Sequence, residues 1–336
     1  MGWWPDDLLA RSTVDGVRHV VLGFLDQARA AAERVAADDE SDEEALHDFR
    51  VGLRRTRSAL RSWKKRLPGK LARERRPLAV IQGRTGGGRD AEVAVAWLRE
   101  LHDGLDLEAR ETAGWLIDRL DLRLRESMEA LRRDGLGDFT EVEARLRDEL
   151  NGLPTDEGDQ RFGEALAIEA DRQVTEWRDE LAGVRGLEDA ERIHRARILG
   201  KRLRYLVEPL QPSLPEAARV VERCKNAQDL LGDFNDASVL RDELSRSLER
   251  LAVDEAALLD ERLREGATDA ELTALAERSL RPGWIVLGRL VQARSAFLVE
   301  RLLTDWRGEE EASLRAAVDD FVTAARNGQA PANGAT

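Results

Sequence analysis

The chain has 336 residues, 42% apolar and 35% charged, enough to bury a core while covering exposed helices with charge. Its net charge of −13 argues against indiscriminate affinity for polyanions, and the single cysteine, Cys224, excludes an internal disulfide framework or a cysteine-based zinc site. No stretch of about eighteen apolar residues offers a membrane span, and scarce aromatics beside abundant Ala, Leu, Arg and Glu predict an all-α fold.

In chain order, the opening MGWWPDDLLARS lacks a basic region followed by an apolar core, so a cytoplasmic location is expected. The acidic run DDESDEE (38–44) leads into a basic helix, LHDFRVGLRRTRSALRSW (46–63). From Arg50 to Arg76 there are twelve Lys or Arg against one acid, Glu74. Breaks are predicted at Pro68-Gly69, Gly86 to Gly88, Gly135, NGLPTDEGDQ (151–160), Gly183 to Gly186, PLQPSLP (209–215) and Pro282-Gly283. Between them lie helical segments of roughly 15 to 25 residues. A second basic window, Arg192 to Arg204, holds six Lys or Arg and no acid. NGQAPANGAT at the end is expected to be disordered.

The sequence also repeats itself. An offset of 147 lays HDFRVGLRRTR (47–57) over HRARILGKRLR (194–204), matching His47 with His194, Arg50 with Arg197, Arg54 with Lys201, Arg55 with Arg202 and Arg57 with Arg204. An offset of 146 aligns Gly86 with Gly232, Asp90 with Asp236, Val93 with Val239 and Gln82 with Gln228. The predicted organisation is a first half over 1–150, a linker over 151–160, a second half over 161–326 and a tail over 327–336.

Each basic helix carries two stripes. Leu46, Phe49, Leu53, Thr56, Leu60 and Trp63 recur at steps of three and four, as do Ile193, Ala196, Gly200, Leu203, Val207 and Leu210, and both sets suit burial. One position further along run His47, Arg50, Arg54, Arg57 and Arg61, matched by His194, Arg197, Lys201 and Arg204 before Glu208 ends the second row. The first row spans about 21 Å at a helix's rise per residue. Like charges at such spacing repel by a few tenths of a kcal/mol per pair, which an elongated anion along the row would relieve. Only five of the 53 basic residues are lysines, and arginine's planar fork suits phosphate oxygens. The competing reading is a solvated face neutralised by acids of neighbouring helices.

Other chemistries fit less well. GRTGGGRD (83–90) has the glycine spacing of a nucleotide loop but puts Arg89-Asp90 where Lys-Ser/Thr is required, so it reads as an inter-helix turn with Asp90 and Asp236 as N-cap or first-turn residues of the next helix. His47-Asp48 suggests a metal-dependent phosphohydrolase, but the chain has only four histidines and Arg195 replaces the aspartate in the second copy. No catalytic grouping is singled out, and no cofactor is expected. Nucleic acid is disfavoured by the acidic total and by a basic row without aromatics.

The pattern His-x-x-Arg-Val/Ile-x-x-Arg/Lys-Arg-x-Arg, present twice and followed each time by Gly-x-x-(Arg/Asn)-Asp-x-x-Val, resembles the CHAD family of α-helical domains, from about Leu8 to Trp306. The resemblance implies two pseudo-symmetric four-helix bundles around a basic central channel that binds inorganic polyphosphate. The residues it marks are His47, Arg50, Arg54, Arg55 and Arg57, then His194, Arg197, Lys201, Arg202 and Arg204, with Lys225 as a further position and Arg61 extending the first row. It further implies a stand-alone, non-enzymatic binder without membrane association, located in the cytoplasm and at polyphosphate granules, with protein partners there. The sequence departs from the pattern where Ala79 stands opposite Lys225 and Asn235 opposite Arg89, so the halves are expected to contact the anion unequally. The alternative function is a helical protein-protein adaptor.

Overall fold

A computed structural model describes residues 4–37, 44–84, 86–154, 160–277 and 279–328, and among these the fold is helical throughout, with one isolated β-bridge between Ser12 and Arg161. The helices are α1 (Thr13–Ala37), α2 (Ala45–Ser62), α3 (Gly69–Arg73), α4 (Arg75–Arg84), α5 (Gly86–Leu101), α6 (Leu107–Ala130) and α7 (Leu136–Asn151). There follow α8 (Phe162–Ala182), α9 (Ala190–Val207), α10 (Pro215–Arg264), α11 (Asp269–Glu277), α12 (Arg281–Arg301) and α13 (Glu311–Asn327).

The chain divides into two compact units that do not follow the halves of the sequence. One comprises Met1–Thr85, Met128–Gly232 and Arg301–Thr336; the other comprises Gly86–Ser127 and Asp233–Glu300. Most of the expected linker (155–159), of the acidic run (38–43) and of the expected disordered tail (329–336) lies outside the described residues.

In the first unit, α1 packs on α2, α8 packs on α9, and α2 touches α9 directly. The backbone bridge sets the starts of α1 and α8 side by side: Thr13 N–H donates to Gln160 O (2.9 Å) and Phe162 N–H to Arg11 O (2.8 Å). Both apolar stripes are buried as their spacing predicts, Phe49, Leu53, Thr56, Leu60 and Trp63 on α2 and Ile193, Ala196, Gly200, Leu203, Val207 and Leu210 from α9 onward; Leu46 is only half-buried. Phe49 meets Phe139 of α7 edge-on (5.1 Å between ring centres), and Trp177 of α8 meets Trp306 (5.7 Å). Gly52 is required by close packing, since a Cβ there would lie 2.7 Å from Cα of Ala28 and only glycine lets α2 approach α1 this closely. Before α13 the chain kinks at Arg307-Gly308, where Gly308 takes φ +115°.

In the second unit, α5, α6, α12 and the later part of α10 enclose Leu98, Leu116, Leu120, Leu240, Leu244, Trp284 and Leu287. Trp284 Nε1–H donates to Leu244 O (2.9 Å) and its ring meets Trp115 edge-on. Arg123 forks onto Glu243 (2.7 and 2.8 Å), whose carboxylate also accepts from Ser247.

Several expected breaks are corrected. No turn occurs at Gly232: α10 runs unbroken for 50 residues, with Asp236 in its interior and Asp90 inside α5. A Cβ at Gly232 would meet nothing within 4 Å, so this glycine lies on an open flank and costs about 1 kcal/mol of helix propensity. Burial of the nearby Leu231, Phe234, Ala237 and Leu240 offsets that cost. Gly135 ends a wide π-type turn (Leu131–Gly135) that joins α6 to α7, and Pro282-Gly283 falls in the first turn of α12, where proline's missing N–H is harmless.

Candidate anion-binding site

All twelve residues singled out from the sequence belong to the first unit. On α2, His47 and Arg61 are exposed, Arg54, Arg55 and Arg57 are half-buried, and Arg50 is only 6% exposed. On α9, His194 is exposed and Arg197, Lys201, Arg202 and Arg204 are half-buried; Lys225 is exposed on α10.

The two helices run antiparallel. Arg55 of α2 pairs with Glu208, just past the end of α9, while further along α2 Arg61 lies close enough to Arg202 of α9 for their charges to repel. Residue numbers therefore rise on one helix as they fall on the other. The first turns, with His47 and His194, consequently lie at opposite ends of the pair, and the two histidines do not meet.

The cations of the two helices differ in their partners. Off the row, Arg192 and Arg195 both reach Glu180 (3.4 and 3.0 Å), Arg195 also reaches Glu191, and Asp48 is held by Arg34 (2.6 Å). Within the marked set, Arg54, Arg57, Arg61, Arg202 and Arg204 have no carboxylate partner among the described residues. Nε of Arg54, Arg57 and Arg204 is buried without any hydrogen-bond acceptor. Burying such a donor unmatched costs about 1–3 kcal/mol, so the arrangement is one that a mobile acceptor would complete. Arg57 reaches only a neutral group, donating to Gln82 of α4 (2.5 Å). Arg204 lies over the Tyr205 ring (4.9 Å) and its charge reaches the thiol of Cys224 on α10, which burial pushes up to about 12.

Arg55 departs from the row. It forks onto Glu208 and donates to Gln27 of α1 (2.9 Å), so its charge already has a partner and it ties α2 to both neighbours.

Electrostatics mark where cation meets cation. Burial, then Arg75, holds the Arg57 guanidinium below the usual arginine range; burial, then Arg61 and Arg76, does the same to Arg75; burial, then Arg61, pushes Arg202 down to about 10. Arg57, Arg75, Arg61 and Arg202 thus form one chain of mutual repulsion across α2, α4 and α9. Arg75 was missed from sequence because no periodicity links it to the row, although it falls in the same basic window. At the end of α2 a cavity of about 450 Å³ opens between Arg61, Lys64, Lys65, Arg172 and Arg202. Among the described residues no three His, Cys, Asp or Glu side chains are grouped to hold a metal ion, and no helix is long and apolar enough to cross a membrane.

Fold and site define an all-helical protein whose buried contacts hold two arginine-rich helices together with much of their charge unmatched. The CHAD domain profile matches residues 19–245, and the chain belongs to the CHAD domain family. Among solved structures it is similar to the CHAD domain from the plant Ricinus communis, at 18% identity with a TM-score of 0.57, over 92% of this chain and 93% of that one. It is also similar to PptA from Streptomyces chartreusis, at 18% identity with a TM-score of 0.53, over 95% of this chain and 99% of that one. No curated protein matches the chain.

Proposed function

We propose that this chain binds inorganic polyphosphate, without catalysis, along the arginine rows of α2 and α9. The observation that carries the reading is a division among cations: Arg192 and Arg195, off the row, are matched by Glu180, whereas Arg54, Arg57 and Arg204 bury an Nε–H with no acceptor at all. Membership of the CHAD domain family supports it. A polyphosphate chain supplies closely spaced anionic oxygens that guanidinium forks can grip two at a time, and it is thin enough to lie between side chains held at half burial. His47 and His194, at opposite ends of the helix pair, would be further donors to polyphosphate, with Lys225 as an outlying contact. The reading includes the internal duplication, with α1–α2 and α8–α9 as corresponding hairpins, and a cytoplasmic pool recruited to polyphosphate granules. Calorimetry against polyphosphate chains, beside single-stranded RNA of equal charge, tests it. Polyphosphate binding the tighter is expected, and preference for RNA refutes the proposal.

A further inference from the structure

The offset of 147 carries Arg55 onto Arg202 and Arg61 onto Glu208. In the folded chain Arg55 pairs with Glu208, and Arg61 stands near Arg202. These contacts are therefore counterparts that differ by one exchanged residue. At one end of the α2–α9 pair an acid closes the contact; at the other, two guanidiniums share the cavity of about 450 Å³.

The cavity's two acids are already engaged. Glu169 and Glu176 both pair with Arg172 and their charges also reach Arg202, but among the described residues neither forms an ion pair with Arg61, Lys64, Lys65 or Arg202, which line the cavity. Such a cluster favours a compact group with more than one negative charge and several free oxygens. In linear polyphosphate only the end unit meets that description, because an internal unit carries one negative charge and the end unit up to two.

We propose that the Arg61–Arg202 cavity is a terminal subsite that takes the end phosphate of a linear polyphosphate, so that the chain lies on the protein with a fixed direction. This inference rests on the polyphosphate reading above. The opposite end cannot serve the same purpose, since Glu208 neutralises Arg55 and would repel an anion placed there.

The test compares polyphosphate of one defined length with the same chains capped at both ends as phosphoramidates, which removes the second ionisation of each terminal unit. Wild-type protein is expected to bind capped chains about tenfold more weakly, the scale of one lost charge-assisted contact. Arg61→Glu, which sets a carboxylate against Arg202 as Glu208 stands against Arg55, is expected to bind both forms alike. Arg54→Gln is expected to weaken both and keep their ratio. If Arg61→Glu fails to fold, Arg61→Gln removes the charge alone and carries the same expectation. Equal binding of capped and free chains by the wild type overturns the terminal subsite while leaving polyphosphate binding intact. A cap-sensitive Arg61 variant moves the subsite elsewhere and overturns this assignment, and absence of binding to either form overturns both readings.

Discussion

Arg57 on α2 gives one N–H to the side-chain oxygen of Gln82 on α4, at 2.5 Å, and has no acid to answer its charge. A neutral acceptor fixes the guanidinium's direction without cancelling its field, as an arginine poised for an anion requires. Gln82→Glu is expected to cancel it. The variant should melt at higher temperature, because burial and Arg75 both disfavour the charge at Arg57 and a carboxylate would relieve them. Polyphosphate affinity should fall about tenfold, the scale of one charge-assisted contact. Thermal melts and calorimetry on the same preparation check both directions.

Salt dependence separates row from surround. Binding through several phosphate contacts should weaken linearly in log affinity against log salt. Arg54→Gln should lower that slope by about one unit, whereas Arg195→Gln, whose partner is Glu180, should leave it unchanged. Equal effects of the two substitutions would remove the distinction between matched and unmatched cations.

Arg55 should behave as a structural residue. Arg55→Ala leaves the Glu208 carboxylate half-buried and unpaired and should cost about 2 kcal/mol, below the full penalty of a deeply buried pair because both side chains keep some solvent. Chemical denaturation measures that loss. Affinity of the folded variant for polyphosphate should change less than in Arg54→Gln.

The second unit should loosen in acid. Burial alone would raise the Glu243 carboxyl, but hydrogen bonds from Arg123 and Ser247 and the charges of Arg123 and Arg246 hold it below the ordinary glutamate value of 4.5. A carboxyl lowered on folding stabilises the native state above its unfolded value, and that contribution disappears as pH falls through the folded one. Stability is therefore expected to decline from pH 4.5 downward, with Glu243→Gln less stable at neutrality and flatter over that window. Denaturation midpoints across the acid range check the sign.

Much of the candidate site's placement was legible because helix periodicity is a local property. The three- and four-residue steps from Phe49 to Trp63 and from Ile193 to Leu210 predict which faces of α2 and α9 are buried, and hence which faces carry the arginines. Pairing across helices was not legible. Nothing in the order of residues says that α2 and α9 pack antiparallel through their later turns, so the partnership of Arg55 with Glu208, the approach of Arg61 to Arg202 and the part played by Arg75 appear only in the fold. Gly232 misled for a different reason: glycine followed by Asp, Asn and Asp is turn chemistry by composition, yet buried neighbours on the same helix outweigh it. Division of the chain into compact units likewise depends on long-range packing, which the repeat alone does not encode.

The close fit of Gly52 against Ala28 makes one residue that bears no charge a gauge for all those that do. Even a single methyl group at position 52 would wedge α2 away from α1 and carry Arg54, Arg57 and Arg61 with it. A substitution that never meets the ligand could thus silence recognition while every guanidinium remained in the sequence.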